Sequence, residues 1–157
     1  MFRTILIATT LLATPAVAQD AAKGDYADIN GMRLYYEVSG SGDPLIVLHG
    51  AYMNIETMGG IVPRLAETHK VYALELQGHG RTNDIDRPVT YPNLAGDVAV
   101  FMDELGIEKA DIVGYSMGAA AGLKLAIDNP EKVDQLVAIS VAYDLEGMQP
   151  EYHAMIP

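Results

Sequence analysis

A serine stands between two glycines in the stretch 114–118, which reads Gly-Tyr-Ser-Met-Gly. A mostly apolar run, 110–113, precedes this stretch, and a run rich in small residues, 119–127, follows it. This order predicts a strand, a sharp turn and a helix, with Ser116 at the apex of the turn. Side chains two positions before and after the serine would collide there, which explains the two glycines. A serine held in this way, beside the first N–H of a helix, is placed for nucleophilic attack on a carbonyl carbon.

Two further segments with polar side chains follow predicted strands. Residues 45–48 form a continuous apolar run, typical of a parallel strand covered on both faces, and they lead into His49-Gly50-Ala51. Residues 71–76 form the next predicted strand and lead into the loop 77–82, which reads Gln-Gly-His-Gly-Arg-Thr. In parallel sheets, active sites lie at the carboxyl ends of the strands. We therefore expect both segments at the same sheet edge as Ser116.

The other elements are predicted from local patterns. Asn30-Gly31 between two alternating runs predicts a hairpin over residues 27–38. Apolar spacing predicts a helix over about 93–105, ended by Gly106, and a weaker helix over 58–65. A last strand is predicted over 135–141. Strands that alternate with helices favour an α/β fold with a mostly parallel sheet and helices on both faces.

Composition limits the classes of partner. The chain has 157 residues, a net charge of -11 and no cysteine. Lysines and arginines form no cluster, so we expect no nucleic-acid partner. The absence of cysteine excludes disulfides, thiolate metal sites and a cysteine nucleophile. We expect no metal and no cofactor, a small-molecule substrate, and an oligomeric state that the sequence leaves open.

The first 27 residues are predicted to lie outside the fold. Arg3 is followed by a short apolar run over 5–12, and Ala16-Val17-Ala18 places small residues where a signal peptidase reads. Residues 1–18 are therefore predicted to be a secretory signal peptide cleaved after Ala18, and 19–27 a polar leader. The apolar run is too short to span a bilayer. We expect a secreted or periplasmic protein with no stable membrane anchor.

Together these segments resemble the α/β-hydrolase superfamily over about residues 28–150. Leu48 to Ala51 resembles the oxyanion loop after the third strand, and 114–118 matches the nucleophile elbow. Residues 75–82 resemble the loop Asp-x-Arg-Gly-x-Gly-x-Ser, with Glu75, Gln77 and Thr82 departing from it. Residues 129–133, Asn-Pro-Glu-Lys-Val, resemble the usual end of the helix after the nucleophile.

The resemblance implies a role for each of these positions. Ser116 would be the nucleophile, and the backbone N–H groups of Met117 and Ala51 would form the oxyanion hole, with Tyr52 as the alternative to Ala51. His79 would lie in a structural turn and take no part in catalysis. The positions implied to support the elbow and its loop are His49, Gly50, Gly114 and Gly118.

The resemblance also implies a base and an acid, for which the sequence offers weak candidates. The family order is serine, then Asp or Glu, then His. Only His153 follows Ser116 as a histidine, and Asp144 follows the last predicted strand. We expect the base and the acid beyond Pro157. The core is then predicted over 28–142, truncated before its last strands, with 143–157 as the start of a cap region or a truncated tail.

The activity implied is hydrolysis of a small ester, lactone or related carbonyl compound through an acyl-enzyme on Ser116. The family's cofactor-free haloperoxidase-like members share this apparatus. Epoxide hydrolases and haloalkane dehalogenases carry Asp at the elbow apex, so Ser116 disfavours both. The alternative is a non-catalytic or degenerate member that binds a ligand in the same pocket. We expect the 157-residue chain alone to be inactive, and its last strand to form an exposed apolar edge.

Overall fold

The computed structural model describes residues 22–141. The predicted signal peptide, the tail 143–157, Asp144 and His153 lie outside these residues. A six-stranded sheet has the order β1-β2-β4-β3-β5-β6. Its strands are β1 Lys23–Ile29, β2 Met32–Ser39, β3 Pro44–Leu48, β4 Lys70–Leu74, β5 Ala110–Tyr115 and β6 Val133–Ile139. Its helices are α1 Ile61–Leu65, α2 Tyr91–Glu104 and α3 Met117–Asp128.

The sheet is antiparallel on one side and parallel on the other. β1 pairs with β2, and β2 with β4, in antiparallel register. β4, β3, β5 and β6 are parallel neighbours. The predicted α/β class and mostly parallel sheet are confirmed. Because β3 and β5 are adjacent, with Leu48 opposite Gly114, the segments that follow them emerge side by side.

The hairpin turn falls at Asn30-Gly31, as predicted, and both residues have positive φ. The strand before the turn begins earlier than predicted. Lys23 pairs with Val38, so 23–27 belong to β1 and the prediction of a polar leader over 19–27 is wrong for these residues. The first residues of β1 are exposed and polar. Backbone pairing with β2, not apolar patterning, therefore determines where this edge strand starts.

Helices cover both faces of the sheet. Ile46, Leu48 and Leu74 pack with α2 and α3 in one cluster of buried side chains. Leu45, Val47 and Val71 point to the opposite face and pack with α1. This two-sided burial explains why β3 is apolar at every position, and it makes β3 and β4 rigid supports for the loops at their ends.

α2 begins and ends at positions that its sequence favours. The Thr90 hydroxyl accepts a hydrogen bond from the Asn93 N–H. At the other end Gly106 has a φ of 66°. The Ile107 N–H donates to the Met102 carbonyl at 2.8 Å, and the Gly106 N–H donates to the Asp103 carbonyl at 3.1 Å. These two bonds form a Schellman motif.

β6 is the last strand of the described sheet. Its side chains are exposed or half-buried throughout, and Val137 is 53% exposed. The strand occupies 133–139, two residues earlier than predicted. Between residues 22 and 141, no helix is long and apolar enough to cross a bilayer.

Candidate active site

Ser116 lies in a strained backbone conformation at the junction of β5 and α3. Its φ is 51° and its ψ is -112°, a region that costs a non-glycine residue roughly 1–3 kcal/mol. A Cβ on Gly118 would lie within 2.5 Å of the backbone carbonyl oxygen of His49. A Cβ on Gly114 would lie 2.5 Å from the Gly118 carbonyl oxygen. The turn therefore requires glycine at both positions, for the steric reason expected from the sequence.

Hydrogen bonds at the elbow fix the backbone of the serine. The Ser116 N–H donates to the Ile139 carbonyl at 2.9 Å, and the Ser116 carbonyl accepts from the Ala120 N–H at 3.0 Å. Met117 is the first residue of α3, so its N–H has no partner within the helix. This donor carries the partial positive charge of the helix N-terminus. It is available to an oxyanion bound beside Ser116.

His49 is buried, and both of its ring nitrogens are engaged. The Leu76 N–H donates to Nε2 at 3.0 Å, and Nδ1 lies 2.7 Å from the Gly50 carbonyl oxygen. A carbonyl only accepts and an N–H only donates, so the ring is neutral with its proton on Nδ1. Burial lowers the pKa of His49, although its bond to Gly50 opposes this shift. His49 thus joins the end of β3 to the segment after β4, and it has no nitrogen free to serve as a base.

The loop after β3 is a tight turn over residues 50–53. The Gly50 carbonyl accepts a second hydrogen bond, from the Met53 N–H at 3.2 Å. Because the Gly50–Ala51 peptide is planar and trans, the Ala51 N–H points away from this doubly held carbonyl. The α-carbon of Gly50 faces the Tyr115 ring, since a Cβ there would lie 2.9 Å from it. The turn therefore packs directly against the elbow, with the Ala51 N–H fixed in direction.

Two other histidines lie in the described part of the chain. His79 Nδ1 donates to the Gln77 carbonyl at 2.8 Å, and its ring centroid is 5.1 Å from that of His49. His69 directly precedes β4 and lies 3.9 Å from the Asp111 carboxylate. That position is at the amino edge of the parallel strands, opposite the edge that carries Ser116. Neither histidine has a geometry that assigns it as the base.

Glu75, where the family loop has Asp, holds Arg81 from a buried position. The Arg81 Nη2 donates to the Glu75 carboxylate at 2.7 Å, and the Arg81 backbone N–H donates to it as well. Burial acts to raise the pKa of Glu75, but the bonds from Arg81 outweigh burial and keep this pKa below its ordinary value. A Cβ on Gly80 would meet the carboxylate. The longer acid is thus accommodated by a glycine with a positive φ.

Gln77, where the family loop has Arg, binds an arginine from elsewhere in the same loop. Its Oε1 accepts from Arg87 Nε at 3.1 Å, and its Nε2 donates to Asp84 at 2.8 Å. Arg87 also makes two hydrogen bonds to Asp97 of α2, at 3.0 and 2.6 Å. This network pins the loop after β4 to α2. The departure at Gln77 was visible in the sequence, but Arg87 and Asp97 were missed because no local pattern identifies them.

The described residues hold no group of three or more His, Cys, Asp or Glu side chains that could bind a metal ion. At the edge of the sheet that carries Ser116, this serine directly precedes the first N–H of α3. The turn that contains Ala51 packs against Tyr115, the residue before Ser116.

Comparison with known proteins agrees with the fold described above. Residues 43–155 match the family model described as alpha/beta hydrolase fold. The chain belongs to the α/β-hydrolase family. It is 36% identical over 130 residues to the dihydrolipoyllysine-residue acetyltransferase component of the acetoin cleaving system of Cupriavidus necator, a match that covers 82% of this chain and 35% of that protein.

Two further similar proteins are described as enzymes by name. The soluble epoxide hydrolase of Corynebacterium sp. (strain C12) is 33% identical over 118 residues, covering 73% of this chain and 40% of that protein. The solved structure of Est816, described as an N-acyl homoserine lactone degrading enzyme, is 29% identical with a TM-score of 0.75, covering 83% of this chain and 51% of that one. The chain thus spans about a third to a half of the length of these relatives.

Proposed function

We propose that this α/β hydrolase cleaves small esters, lactones or related carbonyl compounds through an acyl-enzyme on Ser116. One observation carries the proposal. Ser116 has a strained backbone at the start of α3, and the turn over residues 50–53 packs against Tyr115, the residue before it. Strain of this kind persists only where the surrounding structure imposes it, and it clusters at active sites.

The proposed reaction has two steps. The Ser116 hydroxyl oxygen attacks the carbonyl carbon while a general base takes its proton, and the carbonyl oxygen becomes an oxyanion. The Met117 and Ala51 N–H groups donate to that oxyanion, each contributing about 3 kcal/mol of transition-state stabilisation. The intermediate expels the alcohol, and water then releases the acid from Ser116. The base and its orienting acid are not assigned among residues 22–141.

The residue at the apex of the elbow distinguishes enzymes that act on carbonyl compounds from epoxide hydrolases and dehalogenases. Relatives of this chain include proteins named epoxide hydrolase and fluoroacetate dehalogenase. The family resemblance places Asp at the apex in epoxide hydrolases and haloalkane dehalogenases, whereas this chain has Ser116. A serine alkoxide attacks an acyl carbon to give an ester that water can cleave. The lactone-degrading relative named above supports a carbonyl substrate.

Turnover of p-nitrophenyl acetate and of a simple lactone tests the proposal, in the protein encoded by the complete gene. We expect Ser116-dependent hydrolysis of at least one of them. Ser116→Ala should lower kcat by about 10⁴-fold or more, because triad members act as a unit. A ligand-binding member without catalysis would bind such compounds and leave them intact in both forms, and that result would contradict the proposal.

Export is a second part of the proposal, because residues 1–18 have the three-part pattern of a signal peptide. Expression in a Gram-negative host should give periplasmic protein whose N-terminal residue is Gln19. Cytosolic protein that retains Met1 would contradict export without bearing on the chemistry of Ser116.

A further inference from the structure

Tyr52 combines a strained backbone with a fully exposed aromatic side chain, at a position next to the proposed oxyanion donor. Its φ is 58°, and its side chain is 94% exposed. It is the third residue of the turn from Gly50 to Met53, where a positive φ makes glycine the usual residue. Within the described part of the chain, no hydrogen bond, ion pair or ring contact holds the Tyr52 side chain.

Strained residues cluster at one edge of the sheet. Asn30, at the hairpin turn, has a residue type that tolerates positive φ. The other non-glycine residues with positive φ among residues 22–141 are Tyr52, Ser116 and Ser140. They follow β3, β5 and β6, which are neighbours in the sheet. The strain at Tyr52 therefore lies at the edge that carries the nucleophile, where backbone outliers point to function.

The turn over residues 50–53 determines the position of Tyr52 relative to the elbow. The Gly50 carbonyl is held by His49 and by the Met53 N–H, so the Gly50–Ala51 peptide has a fixed orientation. Gly50 packs against the Tyr115 ring, and Tyr115 precedes Ser116. An aromatic side chain on this turn thus lies one residue from the Ala51 donor. If the Ala51 N–H binds the carbonyl oxygen of a substrate, the group attached to that carbonyl lies close enough for the Tyr52 ring to contact it.

We propose that Tyr52 is a specificity-determining residue whose ring covers an apolar group of the substrate, either its acyl chain or its alcohol. This proposal rests on the proposed function of Ser116 and adds a substrate class, namely esters with a hydrocarbon or aromatic group next to the reacting carbonyl. The ring supplies a large apolar surface. Because the Tyr52 side chain is 94% exposed, that surface is available to a substrate.

The proposal predicts opposite effects of one substitution on stability and on selectivity. Asn accepts positive φ and has no large apolar surface. Tyr52→Asn should therefore raise the Tm by about 2–4 °C and lower the preference for long substrates by about tenfold. Tyr52→Phe keeps both the ring and the strain, so it should leave both quantities unchanged. A residue with only a structural role would lose stability on substitution.

The matched control is Ile127→Asn, which also removes an exposed apolar side chain. Ile127 is 66% exposed and lies ten residues after Met117 in α3, about 15 Å along the helix. Its backbone is helical, so Asn relieves no strain there. We expect this variant to change substrate selectivity in neither direction and to give no increase in Tm.

The measurement is kcat/KM for p-nitrophenyl acetate against octanoate, and for ethyl against octyl acetate, with the Tm of each variant, in the protein encoded by the complete gene. A loss of selectivity in either pair together with a higher Tm supports the proposal, and the pair affected identifies the group covered. Unchanged selectivity in both pairs overturns it, and so does a lower Tm for Tyr52→Asn. Turnover that survives Ser116→Ala would instead overturn the proposed function.

Discussion

His49 and Leu76 join two neighbouring strand ends through one buried hydrogen bond, in which the Leu76 N–H donates to His49 Nε2 at 3.0 Å. The other ring nitrogen holds the Gly50 carbonyl at 2.7 Å. A protonated ring would present a second N–H to the Leu76 N–H, so this arrangement requires neutral imidazole. The loop that aims the Ala51 N–H is therefore supported by an uncharged histidine.

This requirement predicts a loss of stability in acid. Burial lowers the pKa of His49 below its ordinary value of 6.5, so the unfolded chain binds a proton more readily than the folded one. Stability should be fully present above about pH 6.5 and fall as the pH drops from there towards the folded pKa. The slope for one such group is at most about 1.4 kcal/mol per pH unit. Urea unfolding between pH 7.5 and 5 measures it.

His49→Gln is the control for that slope, because glutamine can accept a hydrogen bond from Leu76 and does not titrate. The other histidines remain in the variant, so the difference between the two pH profiles isolates His49. We expect a lower stability at pH 7.5 and a flatter profile below pH 6.5. Parallel profiles would show that His49 is not the group responsible.

A methyl group at Gly118 should disrupt the elbow. The added Cβ would lie within 2.5 Å of the backbone carbonyl oxygen of His49, and backbone cannot easily move aside. We expect Gly118→Ala to lower the free energy of unfolding by about 4 kcal/mol or more. Gly96, within α2, has open space around the same added atom. Gly96→Ala should therefore stabilise by about 0.5–1 kcal/mol.

Denaturant unfolding of the two glycine variants measures both effects. If Gly118→Ala is recovered only as insoluble protein while Gly96→Ala folds normally, the expectation is also met. Equal stabilities for the two variants would show that the elbow does not require glycine at position 118.

The buried ion pair between Arg87 and Asp97 should contribute more to the free energy of unfolding than a surface ion pair does. The Asp97 side chain is 1% exposed and that of Arg87 23%. Arg87→Ala leaves a buried carboxylate without its cation, at a cost of about 3–5 kcal/mol. The pair between Lys109 and Asp134 is exposed on both sides, so Lys109→Ala should cost less than about 1 kcal/mol.

A double-mutant cycle separates the ion pair from its surroundings. The double variant with Asp97→Ala and Arg87→Ala removes both charges. Its loss in free energy of unfolding should therefore be smaller than the sum of the losses in the two single variants. Strict additivity, or equal costs for Arg87→Ala and Lys109→Ala, would contradict the assignment of Arg87 as the partner that offsets the Asp97 charge.

Features that depend on neighbours in sequence were predictable. The turn at Asn30-Gly31 and the end of α2 at Gly106 were placed from residue type, because positive φ at these positions favours Asn and Gly. The strand–turn–helix around Ser116 followed from the same steric reasoning. In each case a few adjacent residues contain the whole physical cause.

Features that depend on distant partners were not predictable from the sequence. β1 begins at Lys23 because Val38 pairs with it, although its first residues carry no apolar pattern. The network through Arg87 joins residues ten positions away on either side. The left-handed backbone of Tyr52 is imposed by the turn, against the preference of tyrosine. Such features appear only once the chain is folded.

The central claim is that Ser116 is a nucleophile, and labelling with a fluorophosphonate probe tests it most directly. The protein encoded by the complete gene should take up one probe molecule, and peptide mass spectrometry should place it on Ser116. Ser116→Ala should take up none, while Ser140→Ala, which removes the hydroxyl of another strained serine at the same sheet edge, should be labelled like the parent. Persistent labelling of Ser116→Ala, or no labelling of a folded parent protein, would contradict the account.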